Sequence, residues 1–220
     1  MQKFDTPTPI AAVLDVPAGH VRFIAADRAD TAVEVLPADA SKRRDVKAAG
    51  QTAVEYADGV LRIATPGGQT LGNPGHVEVT VQLPAGSRVE AKTAGTDFRG
   101  VGRLGDVTVE RSHGPIKLDE AASARLTTLV GDVSVGRLTG PAEISTGKGD
   151  IRITEAVRGT VVLRTLAGDV SVGAAAGVSA SLDAGTAHGR ISNALRNTGD
   201  VADLDIHATT SYGDIAAASL

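Results

Sequence analysis

Asp97, Asp132, Asp150, Asp169 and Asp214 each follow one recurring position, held by Thr96, Gly131, Gly149, Gly168 and Gly213. Pro115 and Arg190 take the aspartate's place in two further copies, behind Gly114 and Gly189. Carboxylates at such regular spacing support two kinds of chemistry. If successive copies stack, Asp132, Asp150 and Asp169 come within about 5 Å of one another and repel unless solvated or neutralised by a cation. Those three are therefore the candidate metal ligands. The other reading is turn chemistry, with glycine at positive φ and aspartate accepting nearby backbone N–H groups. Calcium-binding β-rolls use a nine-residue glycine-rich unit with its own aspartate pattern. That pattern is missing here, which favours the turn reading.

The remaining chemistry-bearing residues do not converge. Histidines stand at 20, 76, 113, 188 and 207. His113 and His188 share a repeat position but lie four copies apart, roughly 19 Å at the strand spacing. Gly100-Val101-Gly102-Arg103-Leu104-Gly105 fits GxGxxG, but the residues after it, Asp106-Val107-Thr108-Val109-Glu110, predict a strand. A dinucleotide site needs a helix there. Gly147-Lys148-Gly149 lacks the spacing of a phosphate loop, and neither HExxH nor GxSxG occurs. The sequence predicts no catalytic residues, no cofactor and a non-enzymatic role.

The elements that carry these residues form a repeat. Aligned on Thr96, Gly114, Gly131, Gly149, Gly168, Gly189 and Gly213, the copies are spaced 18, 17, 18, 19, 21 and 24 residues apart. A period near 20 marks a stacked architecture. Seven residues before the anchor stand Val89, Val107, Ala124, Ala142, Val161, Leu182 and Ile206. Two residues after it stand Phe98, Ile116, Val133, Ile151, Val170, Ile191 and Ile215. Four after it the copies are again apolar, with Gly100 and Asn193 as exceptions. Alternate residues of each strand thus face inward. A second glycine about half a period earlier, at 86, 105, 140, 159 and 177, divides each copy into two short strands. Thr93, Thr128, Thr146, Thr165, Thr186 and Thr210 hold the third place before the anchor, with Arg111 the exception. They predict a threonine ladder with packed methyls and bonded hydroxyls. Its phase is that of the inward residues, which argues against an ice-binding face.

Residues 1–83 predict an antiparallel β-region that caps the repeat of 84–220. Asp58-Gly59 between Val54–Ala57 and Val60–Ile63 is a hairpin signal. Val77–Leu83 alternates apolar and polar residues. Leu14–Gly19 echoes Val81–Gly86, which suggests a degenerate early repeat. Ala38–Thr52 carries Lys42, Arg43, Arg44 and Lys47 on a loop or helical turn, and Pro66–His76 is a Gly/Pro-rich loop. The fold class is all-β, a parallel β-helix-like solenoid of about seven two-strand coils preceded by that antiparallel region.

Bulk properties narrow the function. The 220 residues carry 26 acidic and 22 basic side chains, for a net charge of −4. That balance argues against nucleic acid as a partner. Cysteine is absent, so no disulfide scaffold is available. The polar, proline-broken start and the short apolar run Ile10–Leu14 give neither a signal peptide nor a membrane span, so a cytoplasmic location is expected, or a surface location if an export signal has been trimmed. Aromatics are 2% of the chain and tryptophan is absent, which disfavours carbohydrate stacking, the alternative reading.

Val81-Gln82-Leu83-Pro84-Ala85-Gly86-Ser87-Arg88-Val89, followed by Gly-Asp-Val-Ser-Val at 131–135 and 168–172, resembles the bacterial putative-adhesin family of β-strand repeat domains, a domain of unknown function. The resemblance covers about residues 81–218. It implies a β-solenoid without a defined activity. The expected partner is a protein, or a second copy docking on the solenoid end at the last predicted strand, Asp214–Ala218, since open coil ends are templates for pairing.

Overall fold

A computed structural model describes residues 1–66, 75–197 and 202–220, the side chains of residues 111 and 112 excepted. The chain is all-β with one helix among the described residues. It divides into two compact units, Met1–Gly114 and Pro115–Leu220.

The first unit contains β1 (Gln2–Asp5), β2 (Ala11–Ala26), β3 (Asp30–Pro37), α1 (Arg43–Gln51), β4 (Ala53–Ala57), β5 (Val60–Ala64), β6 (Val77–Pro84) and β7 (Arg88–His113). Asp58 and Gly59 both take positive φ, 52° and 76°, and close the β4–β5 hairpin as the sequence predicts. The pairs β1–β3 and β3–β6 are antiparallel as well.

β2 departs from the antiparallel expectation. It pairs in parallel with β5 and β6 on one side and with β7 on the other. The cause is its bend at Pro17-Ala18-Gly19. Gly19 takes φ 134°, and a Cβ there would collide with the backbone of Val77. β2 is therefore a complete coil stacked on the next. The echo of Leu14–Gly19 is real, but its structural partner is not Val81–Gly86. Val16 lies opposite Thr93, Gly19 opposite Thr96 and Val21 opposite Phe98. Gly100, an exception to the apolar pattern, lies across from Phe23. The Phe23 ring packs on Phe98 with centroids 5.7 Å apart, so the two coils carry their phenyl rings at staggered positions, each opposite a smaller residue.

The basic cluster of 42–47 falls on and just before α1. Asp45, buried in its first turn, accepts the backbone N–H of His76 at 3.0 Å. The loop predicted at Pro66–His76 lies mostly outside the described residues. The GxGxxG residues lie within β7, with no helix after them.

The second unit contains β8 (Ile116–Val130), β9 (Val133–Leu138), β10 (Ala142–Lys148), β11 (Ile151–Ala156), β12 (Gly159–Ala167), β13 (Val170–Ala174), β14 (Ala180–His188), β15 (Ile191–Ala194), β16 (Leu204–Tyr212) and β17 (Ile215–Ser219). They form two parallel ladders. One runs from the second half of β8 through β10, β12 and β16 to β14. The other runs from the first half of β8 through β9, β11, β13 and β17 to β15. Inward residues stack in the predicted register, as in Ile116, Val133, Ile151, Val170, Ile215 and Ile191.

The order of coils in space differs from their order in the chain. The coil of β16 and β17 is inserted between β12–β13 and β14–β15. Composition explains the exchange. β16 and β17 offer Leu204, Ile206, Ala208, Ile215 and Ala217 to the core, all buried. β14 and β15 offer Leu182, Ala184, Ile191 and Asn193, and β15 is exposed along its length. The more apolar coil takes the place covered on both sides, because burial there removes more apolar surface from water.

Candidate interaction surfaces

The turn aspartates bond from coil to coil. Asp150 N–H donates to Asp132 Oδ1 at 2.9 Å, and Asp169 N–H donates to Asp150 Oδ1 at 2.8 Å. Asp214 N–H donates to Asp169 Oδ1 at 2.7 Å, and Arg190 N–H donates to Asp214 Oδ1 at 2.8 Å. Each carboxylate thus receives the backbone of the coil stacked on it. Asp132, Asp150 and Asp169 come together as a row, and one oxygen of each is committed to an N–H. No group of three or more His, Asp or Glu residues able to hold a metal occurs among the described residues.

The row follows spatial order, not chain order, and this accounts for Arg190. Its coil is the last in the ladder, so its turn has an N–H to donate and no coil beyond to receive. Pro115 has neither an N–H to give nor a carboxylate to accept with. The Arg190 backbone N–H, followed by its side chain, holds the Asp214 carboxyl below its ordinary value.

The threonines line up as predicted, Thr128 opposite Thr146, Thr165, Thr210 and Thr186 in turn. Their hydroxyls differ from the expectation: they bond the turns, not one another. Thr146, Thr165, Thr210 and Thr186 donate to the carbonyls of Gly131, Gly149, Gly168 and Gly213 at 3.3, 3.1, 3.0 and 3.0 Å. Each lies on the neighbouring coil's turn, and the threonines at 128, 146, 165 and 210 are buried. They present no flat array to solvent.

The outer face of the first ladder is different. A shallow groove of about 420 Å³ runs across it, lined by Thr127, Ser145, Arg164 and Thr209 and by Leu129, Gly147, Leu166 and Ser211. Leu129 and Leu166 are 54% and 65% exposed. Gly147 falls between them in the register and forms a notch. A Cβ there would press on the Leu129 carbonyl, so the notch cannot be filled without displacing backbone. Sequence reasoning missed this site because both leucines sit at outward positions, outside the repeating core pattern. Two outward leucines flanking an outward glycine one coil apart was the available signal. At one end of this sheet His188 stacks on Tyr212, rings 4.8 Å apart and 11° from parallel.

The second surface is the open edge of β14 and β15. The last strand, β17, is interior, so the open end predicted at Asp214–Ala218 falls instead on residues 180–194. Ile191 is 47% exposed there, although every other member of its row among the described residues is buried. By contrast, the parallel coils of the first unit are covered by antiparallel partners, β4 on β5 and β3 on β6.

Parallel coils held by an apolar column and by turn-to-turn bonds define a β-solenoid-like repeat protein. The chain belongs to the Toastrack DUF4097 family, whose pattern matches residues 12–219. Among solved structures it is similar to a putative adhesin from Bacteroides fragilis NCTC 9343, at 14% identity and a TM-score of 0.51, with 98% of this chain and 95% of that chain covered. A putative cell adhesion protein from Clostridium sporogenes ATCC 15579 aligns at 12% identity and a TM-score of 0.44, covering 100% and 98%. These likenesses concern the fold. No curated protein is similar enough to count as a relative. No helix among the described residues is long and apolar enough to cross a membrane.

Proposed function

We propose that the chain is a non-enzymatic scaffold that binds a protein partner along the outer face of the second unit's first ladder. The carrying observation is the pair of exposed leucines, Leu129 and Leu166, held on a rigid sheet around the Gly147 notch. Anchor side chains flanking a preformed notch, with a polar and cationic rim from Thr127, Ser145 and Arg164, match the arrangement of an apolar interface centre with a polar surround. The putative-adhesin relatives support an interaction role by analogy of fold. None of the groove residues is aromatic, so a sugar ring finds no platform there, and a protein ligand fits better than a carbohydrate.

A photo-crosslinking residue placed at 166 tests this reading in the source organism. A discrete adduct is expected, lost when Leu129→Asp is added while the far-UV spectrum and melting curve stay unchanged. A uniform smear, or an adduct that survives Leu129→Asp, sinks it. Binding on a glycan array that Leu129→Asp abolishes would favour a carbohydrate ligand instead.

A further inference from the structure

We propose that the β14–β15 edge is a homodimer interface, closed by a two-fold axis that pairs β14 with β14 of a second copy in antiparallel fashion. An edge strand presents a row of unpaired N–H and C=O groups, and natural sheets blunt such edges with lysine, proline or bulges. Residues 180–194 contain neither lysine nor proline, and their pairing with β16 and β17 runs without a register break. The start of β14 is covered, since Ala180 is buried and its N–H donates to the Arg196 carbonyl at 3.2 Å. From Leu182 onward the edge is straight, carries only Asp183 and Arg190 as fixed charges and keeps the phase of the repeat, with Leu182, Ala184 and Ile191 flooring a half-open apolar column.

The ladder's own chemistry selects the geometry. A parallel coil added head to tail by another copy would need a carboxylate at position 190 to receive its turn, and Arg190 offers none. An antiparallel partner has no such need. Two antiparallel two-fold arrangements are available to a two-strand coil. One places β14 against β15 of the partner and sets turn on turn, bringing the two Arg190 side chains together. The other places β14 against β14 and carries the turn of one copy over the start of the other's coil. Arg190, with a side chain 90% exposed, then faces the end that holds Asp183, 84% exposed, and Asp205 one coil below. Arg196 is the one cation at that end among residues 180–197. Charge complementarity thus favours β14 on β14, centred near Gly185. Beyond its chain neighbours no atom lies within 4 Å of where a Gly185 Cβ would stand, so a side chain placed there is unobstructed.

A single coil face is small beside the standard interface of about 800 Å² per partner, so association in the micromolar range is expected. This inference stands apart from the groove reading, which it neither needs nor tests. Sedimentation equilibrium of the whole chain up to about 300 µM, well above that range, tests it. The expected result is a mass that rises to two copies and stops. Ile191→Lys, which places a charge on the open column at little cost to the fold, should shift the dimer dissociation constant by at least about tenfold. Because the native chain lacks cysteine, Gly185→Cys should give a disulfide-linked dimer on mild oxidation, whereas Glu55→Cys on β4 should not. A strict monomer at 300 µM, growth beyond two copies, or a dimer indifferent to Ile191→Lys would each overturn the proposal.

Discussion

At the residue scale, the turn stack depends on glycine and aspartate placed side by side. Glycine is required where φ lies near 145°, as at Gly149, Gly168 and Gly213, and where the next turn presses on it. A Cβ at Gly168 would collide with the carbonyl of Gly149, so Gly168→Ala should cost roughly 2–4 kcal/mol, read from chemical denaturation. Asp150→Ala leaves the Asp169 N–H without its acceptor in an exposed turn. A loss of about 1 kcal/mol is expected, with Asp150→Asn recovering most of it because the amide oxygen still accepts. Asp214 allows a sharper check by NMR titration. Its carboxyl is lowered first by the Arg190 backbone N–H and then by the guanidinium. Arg190→Ala should raise the pKa while leaving it below the ordinary value, because the backbone bond persists. A lowered carboxyl stabilises the fold fully above its ordinary pKa and loses that contribution as pH falls through the depressed value. The Asp214 contribution should therefore fade below about pH 4.

At the element scale, the repeat was legible because period and phase are properties of the inward residues. Ala142, Ile144, Thr146 and Ile151 recur in register in every coil of the second unit, and the sequence alignment placed them correctly. The coil exchange was not legible as topology, since parallel stacking looks the same from either neighbour. Its traces were present as lapses gathered in one copy: Arg190 for aspartate, Asn193 for an apolar residue, and the longest spacings on either side of Gly189. The β2 coil escaped for another reason. A parallel coil and an antiparallel hairpin share the same alternation, and only pairing partners distinguish them. The exchange makes a prediction for hydrogen exchange. Amides of β16 and β17 should be among the slowest of the second unit, and those of β15 among the fastest, against the expectation that a chain terminus frays. The groove was illegible because repeat alignment reports what faces inward, whereas a binding surface is made of what does not.

At the scale of the whole molecule, side chains are small and aromatics few, so stability rests on regular stacking and not on bulky packing. Exposed ion pairs such as Arg137–Glu155 at 2.7 Å and Arg164–Glu143 at 3.4 Å cross between coils on the outer faces. Each contributes at most about 1 kcal/mol and is screened by salt. Raising the ionic strength to about 1 M should lower the melting temperature by no more than a few degrees, because the apolar column is insensitive to screening. A larger drop would mean that charge carries more of the fold than its buried residues suggest.

The exchanged coil also constrains how the molecule is made. Residues 180–194 leave the ribosome before 204–219, yet they reach their final neighbours only after the later segment has slipped between them and β12–β13. Until then, the earlier segment either waits undocked or pairs with β12 in the place the later one must take. Synthesis runs N- to C-terminal at about 5–20 residues per second, so this interval lasts on the order of seconds. On the second route the later segment must insert, and an arrested insertion would leave an apolar column open to other chains.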